Sequence, residues 1–364
     1  MPFSNRDYSI DVIGPVHGAT GWATHALGFA RAMNELAEVR LRLPRRKDAF
    51  RGLLNNHRGM LYRGISKECG DFGVVIHGRT LCPQRSSRWN VWETTELPAH
   101  QKELCDQVGF VWAPSSWGRD NLIANGIEAH RVAVVPEGVD TDFFTPSPSR
   151  ERSQRFRFLS VGKWECRKFT DGLVRAFAAE FSPREDVELY LQAHNPYIAN
   201  FSVAEKLEQT GISNLSNIVI GKRCGRRALR ALYRSADCFV LPTRAEGWGL
   251  PILESMACGV PAIVTGYSAP LDYVTADNGF LLKVARLVDA HDPDFNICTG
   301  QWAEPDIDHL RFLMRQSFQN ASQVRERGQA ARSDVMRLSW RNSAQIALKA
   351  IERHLSVVPD QAVP

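Results

Sequence analysis

The densest chemistry in the chain lies in PTRAEGWGLPILESMACGVP, residues 242–261, where Glu246 and Glu254 stand eight positions apart. Between them lie Gly247, Trp248, Gly249, Leu250 and Pro251. The two glycines leave backbone N–H groups free to crowd a ligand. Pro251 suits the first position of a helix that Gly259 would stop. The tip of such a helix carries unpaired N–H groups and partial positive charge, a seat for a diphosphate or for sugar oxygens. Two glutamates at this spacing are common by chance. Flanked by this loop and preceded by the apolar run DCFVLP (237–242), they indicate a site at the carboxyl end of a buried strand. A second glycine loop, with Gly14, Gly18 and Gly21, follows YSIDVIG near the start. Its spacing is not G-x-G-x-x-G, and Leu43, Pro44 and Arg45 offer no acid for a ribose, so a dinucleotide site is disfavoured.

The elements that must position these residues alternate along the chain. Strand-like runs VRLRL (39–43), GVVIH (73–77), GFVWAP (109–114) and RVAVVP (131–136) follow the first strand and a helix from about Trp22 to Leu36. A polar run with prolines, 140–154, reads as a linker. The alternation then restarts with RFRFLSVG (155–162), VELYLQA (187–193), NIVIG (217–221), DCFVLP and PAIVTG (261–266). This predicts an α/β chain with two doubly wound halves, residues 1–145 and 152–336. The stretch 337–357 reads as a terminal helix returning to the first half.

Composition sets the outer bounds. The 364 residues are 44% hydrophobic and 23% charged, which excludes a disordered, collagenous or coiled-coil chain. No apolar run is long enough to span a bilayer, and no secretory leader is visible. Eight scattered cysteines without a CxxC pair suggest reduced, buried thiols in the cytoplasm. A net charge of +5 suits an anionic ligand or peripheral membrane contact, and is too small to demand nucleic acid.

With these features in place, 242–261 resembles the E-x7-E signature of retaining nucleotide-sugar glycosyltransferases, glycosyltransferase family 4, which have the GT-B fold of two facing Rossmann-like domains and an interdomain cleft. The resemblance implies that Glu246 contacts donor-sugar hydroxyls, that Glu254 holds the donor ribose, and that Gly247 to Pro251 cradle sugar and phosphate. FLSVGKWECRKFTDGLVRAF (158–177) is similar to the family segment carrying a basic pair for the donor diphosphate. That role passes to Lys163 and Lys168, with Arg167 as a competing phosphate ligand and Phe169 where the family usually has glycine. Fixed cations there would stabilise the charge that builds as a nucleoside diphosphate departs. VVPEGVD (134–140), VWETTELP (91–98) and VWAPSSWGRDNLIANG (111–126) also resemble family segments. Many members place a histidine near the donor sugar; here the candidates are Glu93 and His77, though a satisfied structural histidine is the commoner fate of His77.

The resemblance further implies an acceptor loop around Gly18, Gly21 and Trp22, and a base-binding backbone at Gly221, Lys222 and Arg223. The donor would be a UDP- or GDP-sugar and no cofactor or metal would be required, since three D-x-D strings fall in the junction run, in loops or at a helix start. The arginine-rich run 222–230 is compatible with anionic lipid, nucleic acid, the nucleotide or plain solvent. A nucleotide-sugar epimerase, a non-catalytic binding protein and a nucleic-acid glycosyltransferase are the alternatives. H-E-x-x-H, G-x-S-x-G and P-loop motifs are absent, which removes the main support for protease, esterase and P-loop ATPase readings.

Overall fold

A computed structural model describes residues 9–15, 21–42, 61–62, 70–77, 84–147, 155–212 and 216–357. The chain divides into two compact units. Unit 1 comprises Met1–Trp92, Leu97–Gly138 and Leu338–Pro364; unit 2 comprises Glu93–Glu96 and Val139–Arg337. The chain thus enters unit 2 at Val139, ahead of the polar run read as a linker, and the short segment 93–96 belongs with unit 2 as well.

Unit 1 runs β1 (Ser9–Ile13), α1 (Gly21–Met33), β2 (Glu38–Arg42), β3 (Leu61–Tyr62), β4 (Phe72–Val75), β5 (Ser86–Trp89), α2 (Ala99–Asp106), β6 (Phe110–Ala113), α3 (Ser116–Ala124) and β7 (Val132–Val134). Its seven strands are parallel in the order β3-β2-β1-β4-β5-β6-β7. Strand β5 was not foreseen, because SSRW is no apolar run. It is nonetheless buried between β4 and β6, where small serines fit and the ladder satisfies the backbone.

Unit 2 runs β8 (Phe156–Gly162), α4 (Thr170–Glu180), β9 (Val187–Ala193), α5 (Val203–Gln209), β10 (Ile218–Ile220), α6 (Arg226–Ser235), β11 (Cys238–Leu241), α7 (Leu250–Ala257), β12 (Ala262–Thr265), β13 (Phe280–Leu282), β14 (Val284–Asp289), β15 (Gln301–Pro305), α8 (Ile307–Gln319) and α9 (Ala321–Val335). Six parallel strands take the order β10-β9-β8-β11-β12-β13. Phe158, Leu173, Phe177, Leu189, Val240 and Ile263 fill its core. Strands β14 and β15 form a separate antiparallel hairpin that the alternating pattern did not reveal.

The last helix, α10 (Trp340–Val357), belongs to unit 1 and packs on α1. Its entry is fixed by Trp340, whose ring covers Gly28; a Cβ on Gly28 would sit 2.4 Å from that ring. Ser343 donates to the Pro136 carbonyl at 2.5 Å beside it. Gly28→Ala is expected to lower stability by about 1–3 kcal/mol through overpacking, despite alanine's better helix propensity. Chemical denaturation checks this; an unchanged midpoint would contradict the packing of Trp340.

Candidate active site

Ligands of open parallel sheets bind at the carboxyl ends of the strands where the strand order reverses. In unit 2 that point lies between β8 and β11. Both clusters singled out in the sequence leave from there: the basic run follows β8 and the glutamate loop follows β11. They meet. Lys168 Nζ donates to Glu246 Oε1 at 2.6 Å. Arg167 donates to the Ala245 carbonyl at 2.7 Å and to Glu165 at 2.7 Å, and its guanidinium lies 3.4 Å from Glu246 and 3.2 Å from Glu93. Lys163 pairs with Glu165 at 2.8 Å and lies over the rings of Tyr197 and Phe295. Three carboxylates therefore interlock with three cations on one side of the sheet.

Burial shapes their charges. It disfavours the cationic form of Arg167, yet Glu93, Glu165 and Glu246 outweigh it and raise the pKa. Burial also opposes ionisation of Glu165, but Arg167, Lys168 and Lys163 prevail and hold its pKa below the ordinary value. For Glu93 burial wins: its pKa is raised, opposed by Arg167 and Lys168 and reinforced by Glu246 and Glu165. Arg167 has its fork engaged by acids and a carbonyl, so it acts as the hub of the cluster. Lys163 and Lys168 are the cations better placed to serve a ligand.

Backbone geometry fixes the glutamate loop. Glu246 N–H donates to Ser268 Oγ at 2.9 Å, and Tyr273 Oη donates to the Trp248 carbonyl at 2.5 Å. Gly249 has φ +97° and precedes α7, which begins at Leu250 with Pro251 second. A Cβ at Gly249 would also meet Tyr273 Oη at 2.7 Å. Gly249→Ala should therefore lower stability by about 1–3 kcal/mol and weaken any ligand held by the loop. A thermal melt with and without ligand reads both effects; a silent variant would contradict the strained turn. Phe169, at the position where glycine is usual in the resembling family, takes φ 55°, and its ring fills the space over Gly172.

Glu254 lies on α7, buried, and accepts from Tyr233 Oη at 2.9 Å. Burial pushes its pKa up to about 7, against the Tyr233 hydrogen bond and the charge of Arg226. Gly221 ends β10's ladder, its N–H donating to the Leu191 carbonyl at 2.8 Å; a Cβ there would strike Gln192. Lys222 and Arg223 follow it on the surface. The arginine face of α6 is partly engaged within unit 2. Arg226 pairs with Asp140 at 2.7 Å, Arg230 donates to the Phe143 carbonyl, and Arg234 holds Thr145. These arginines tie 140–145 of the polar run to α6.

The remaining candidates belong to unit 1. Gly18 is outside the described residues. Gly21 opens α1, and the Trp22 ring lies 5.9 Å from that of His77, which follows β4. His77 is exposed, with the Trp22 ring as its neighbour. So are Cys166 and Cys298, whereas Cys105, Cys238 and Cys258 are buried; all six described cysteines are free.

Four features escaped the sequence reading. Glu165 was visible in the alternation Lys163, Glu165, Arg167 but went unremarked. Tyr233 and Ser268 carry no motif. The β14–β15 hairpin and its loop reach three segments of the site: Asp292 accepts from the Cys166 N–H at 3.1 Å, Glu304 from Arg244 at 2.8 Å, and Trp302 Nε1 donates to the Glu93 carbonyl at 2.8 Å. Among the described residues no group of three or more His, Cys, Asp or Glu is arranged to hold a metal ion, and no helix is long and apolar enough to cross a membrane.

Residues 155–293 match the family described as Glycosyl transferases group 1. The D-inositol 3-phosphate glycosyltransferase of Paenarthrobacter aurescens (strain TC1) is 24% identical over 266 residues, covering 70% of this chain and 60% of its own. The GDP-mannose-dependent alpha-(1-6)-phosphatidylinositol dimannoside mannosyltransferase of Mycobacterium tuberculosis (strain ATCC 25177 / H37Ra) is 32% identical over 163 residues, 42% of this chain and 40% of that one. The chain spans about half the length of the curated relatives it matches. Among solved structures, Anabaena Alr3699/HepE in complex with UDP-glucose aligns with a TM-score of 0.70 at 13% identity, covering 96% of this chain and 100% of that one. A glycosyltransferase from Rickettsia africae ESF-5 gives the same TM-score at 14% identity, with 98% and 100% coverage. The fold is GT-B.

Proposed function

Taking residues 155–293 as a glycosyltransferase group 1 domain, we propose that the chain moves a sugar from a nucleotide-diphosphate sugar to an acceptor hydroxyl with retention at the anomeric carbon. The observation that carries this reading is the Lys168–Glu246 pair at the reversal point of the second sheet, beside the tip of α7. Such a pair presents a cation to a diphosphate and a carboxylate to sugar hydroxyls from adjoining positions. Lys163 and Lys168 take the diphosphate, and the N–H groups of Gly249 and Leu250 at the helix tip add partial positive charge. Glu254 holds the ribose hydroxyls, and the backbone from Gly221 to Arg223 meets the base. Glu246 orients the sugar and forms no covalent adduct. The acceptor oxygen attacks from the leaving-group face, and a diphosphate oxygen takes its proton as the glycosidic bond to the nucleotide breaks. Acceptor recognition falls to unit 1, near Gly21, Trp22 and His77.

The relatives include a GDP-mannose-dependent mannosyltransferase and the structural neighbours a complex with UDP-glucose, which supports a UDP- or GDP-sugar as donor. Glycolipid, glycan or polysaccharide assembly is the setting this suggests, without a metal cofactor. The test is calorimetric titration with a panel of UDP- and GDP-sugars, followed by NMR of any product. Donor binding with slow hydrolysis, and an α-linked product from an α-donor, is expected. Absence of both binding and hydrolysis across the panel would refute the reading.

A further inference from the structure

We propose that donor binding is coupled to protonation of Glu93: a nucleoside diphosphate arriving at Lys163 and Lys168 takes up one proton from solvent onto the Glu93 carboxylate. The inference rests on the donor-site reading above and deepens it.

Its basis is the closed charge balance of the cluster. Glu93, Glu165 and Glu246 face Arg167, Lys163 and Lys168, and each cation is already within 3.4 Å of a carboxylate. A diphosphate brings more negative charge to Lys163 and Lys168, and the neighbouring Arg244 is already paired with Glu304 at 2.8 Å. Either a carboxylate leaves or it gains a proton. Glu165 and Glu246 are almost fully enclosed, with side chains 4% and 3% exposed, and with the lysines diverted they keep Arg167 at 2.7 Å and 3.4 Å. Glu93 has one close cation, Arg167, at 3.2 Å, with Lys168 acting on it from further away, and its side chain is 30% exposed, so of the three acids it is the one solvent reaches. Its backbone cannot retreat. Trp302 Nε1 donates to the Glu93 carbonyl at 2.8 Å, Gln301 N–H donates to Thr95 Oγ1 at 2.8 Å, and Gly300 packs on Glu96 with no room for a Cβ.

The charged groups facing Glu93 are Arg167, Glu246, Lys168 and Glu165. Diverting Lys168 toward phosphate removes one of the two attractive partners while both acids remain, so the ionised form loses ground. In the uptake an O–H bond forms at Glu93 with a proton released by buffer, and no other covalent bond changes. The protonated acid then becomes a hydrogen-bond donor next to the sugar-orienting Glu246. The β14–β15 hairpin is the element that makes this possible, since Trp302 and Gln301 tie 93–96 to the site.

The experiment titrates UDP and GDP into wild type and Glu93→Gln at several pH values from about 6 to 9, in two buffers of different ionisation enthalpy, to count protons. The glutamine is a neutral mimic of protonated Glu93. Wild type is expected to take up as much as about one proton more than the variant, and the variant is expected to bind more tightly at the alkaline end, by up to about tenfold per pH unit of the window. A carboxylic-acid band in infrared difference spectra on UDP binding, lost in Glu93→Gln, would support the same assignment independently. Equal proton counts in two proteins that both bind would overturn the inference and leave the donor site standing. Binding by neither would overturn the donor-site reading, and the inference with it.

Discussion

Lys168→Met is expected to lower kcat by two to three orders of magnitude, the loss of about 10²–10³ that follows removal of one fixed group stabilising transition-state charge. The lysine is 8% exposed and aimed at Glu246. In the resting protein it neutralises a buried carboxylate; in the reaction it meets the charge developing on the departing diphosphate. The substitution therefore has a second signature. Stripping a buried acid of its nearest cation costs about 3–5 kcal/mol where no other partner compensates; with Arg167 still 3.4 Å away, the loss should fall at or below the low end. Lys168→Arg should restore most of the stability and less of the rate. Lys163→Met should affect the rate with little change in stability, because Lys163 is 35% exposed at its side chain and pairs with a glutamate that Arg167 also holds. Single-turnover kinetics with a UDP- or GDP-sugar and chemical denaturation separate these effects. A Lys168→Met enzyme with near-normal kcat would remove the lysine from the mechanism.

Glu254→Gln is expected to stabilise the protein at pH 8 and weaken its grip on the donor, two effects of opposite sign from one carboxylate. Burial raises the folded-state pKa of Glu254 from an ordinary 4.5 to about 7. Between those values the unfolded chain has lost the proton and the folded chain has kept it. Stability is then full at acid pH and falls as pH rises through that window, by up to about 1.4 kcal/mol per unit. Glutamine cannot ionise, so this slope should vanish, while its carbonyl can still accept from Tyr233. Ribose hydroxyls donate better to an anion, so nucleoside binding in wild type should strengthen as pH rises through about 7, and Glu254→Gln should bind about 10- to 100-fold more weakly above it. Glu93 acts in the opposite sense, weakening the binding of UDP or GDP as pH rises. Glu254→Gln should lose the strengthening with pH and Glu93→Gln the weakening. An unchanged donor affinity in Glu254→Gln would refute the ribose role.

Much of unit 2 was legible because the physics there is local. VELYLQA coincides with β9, DCFVLP contains β11, and the proline and glycine around α7 mark its ends within a residue. The site could be located from the same features, since a parallel sheet delivers successive loops to one edge. What the residues alone could not give was the partnering. Arg167 reads as a competing phosphate ligand, and the sequence does not reveal that it stands at the centre of three carboxylates. The arginine run of α6 leaves several partners open in the sequence, which does not reveal that Arg226, Arg230 and Arg234 fasten 140–145. Both outcomes depend on which segments meet across long stretches of chain, information that periodicity does not carry. Strand β5 was hidden for a different reason: its burial is achieved with serines, so hydropathy falls where the strand is most enclosed. Glu93 was singled out from a resemblance at VWETTELP, yet its environment depends on a hairpin two hundred residues later.

The central claim is that the donor lodges where β8 and β11 end. Hydrogen–deuterium exchange of the wild-type protein with and without a saturating UDP- or GDP-sugar tests it most directly. Slower exchange concentrated in 163–169 and 243–254 is the expected result. A donor that binds yet leaves both segments unprotected, slowing exchange only in 72–77 and 21–33 of unit 1, would contradict it.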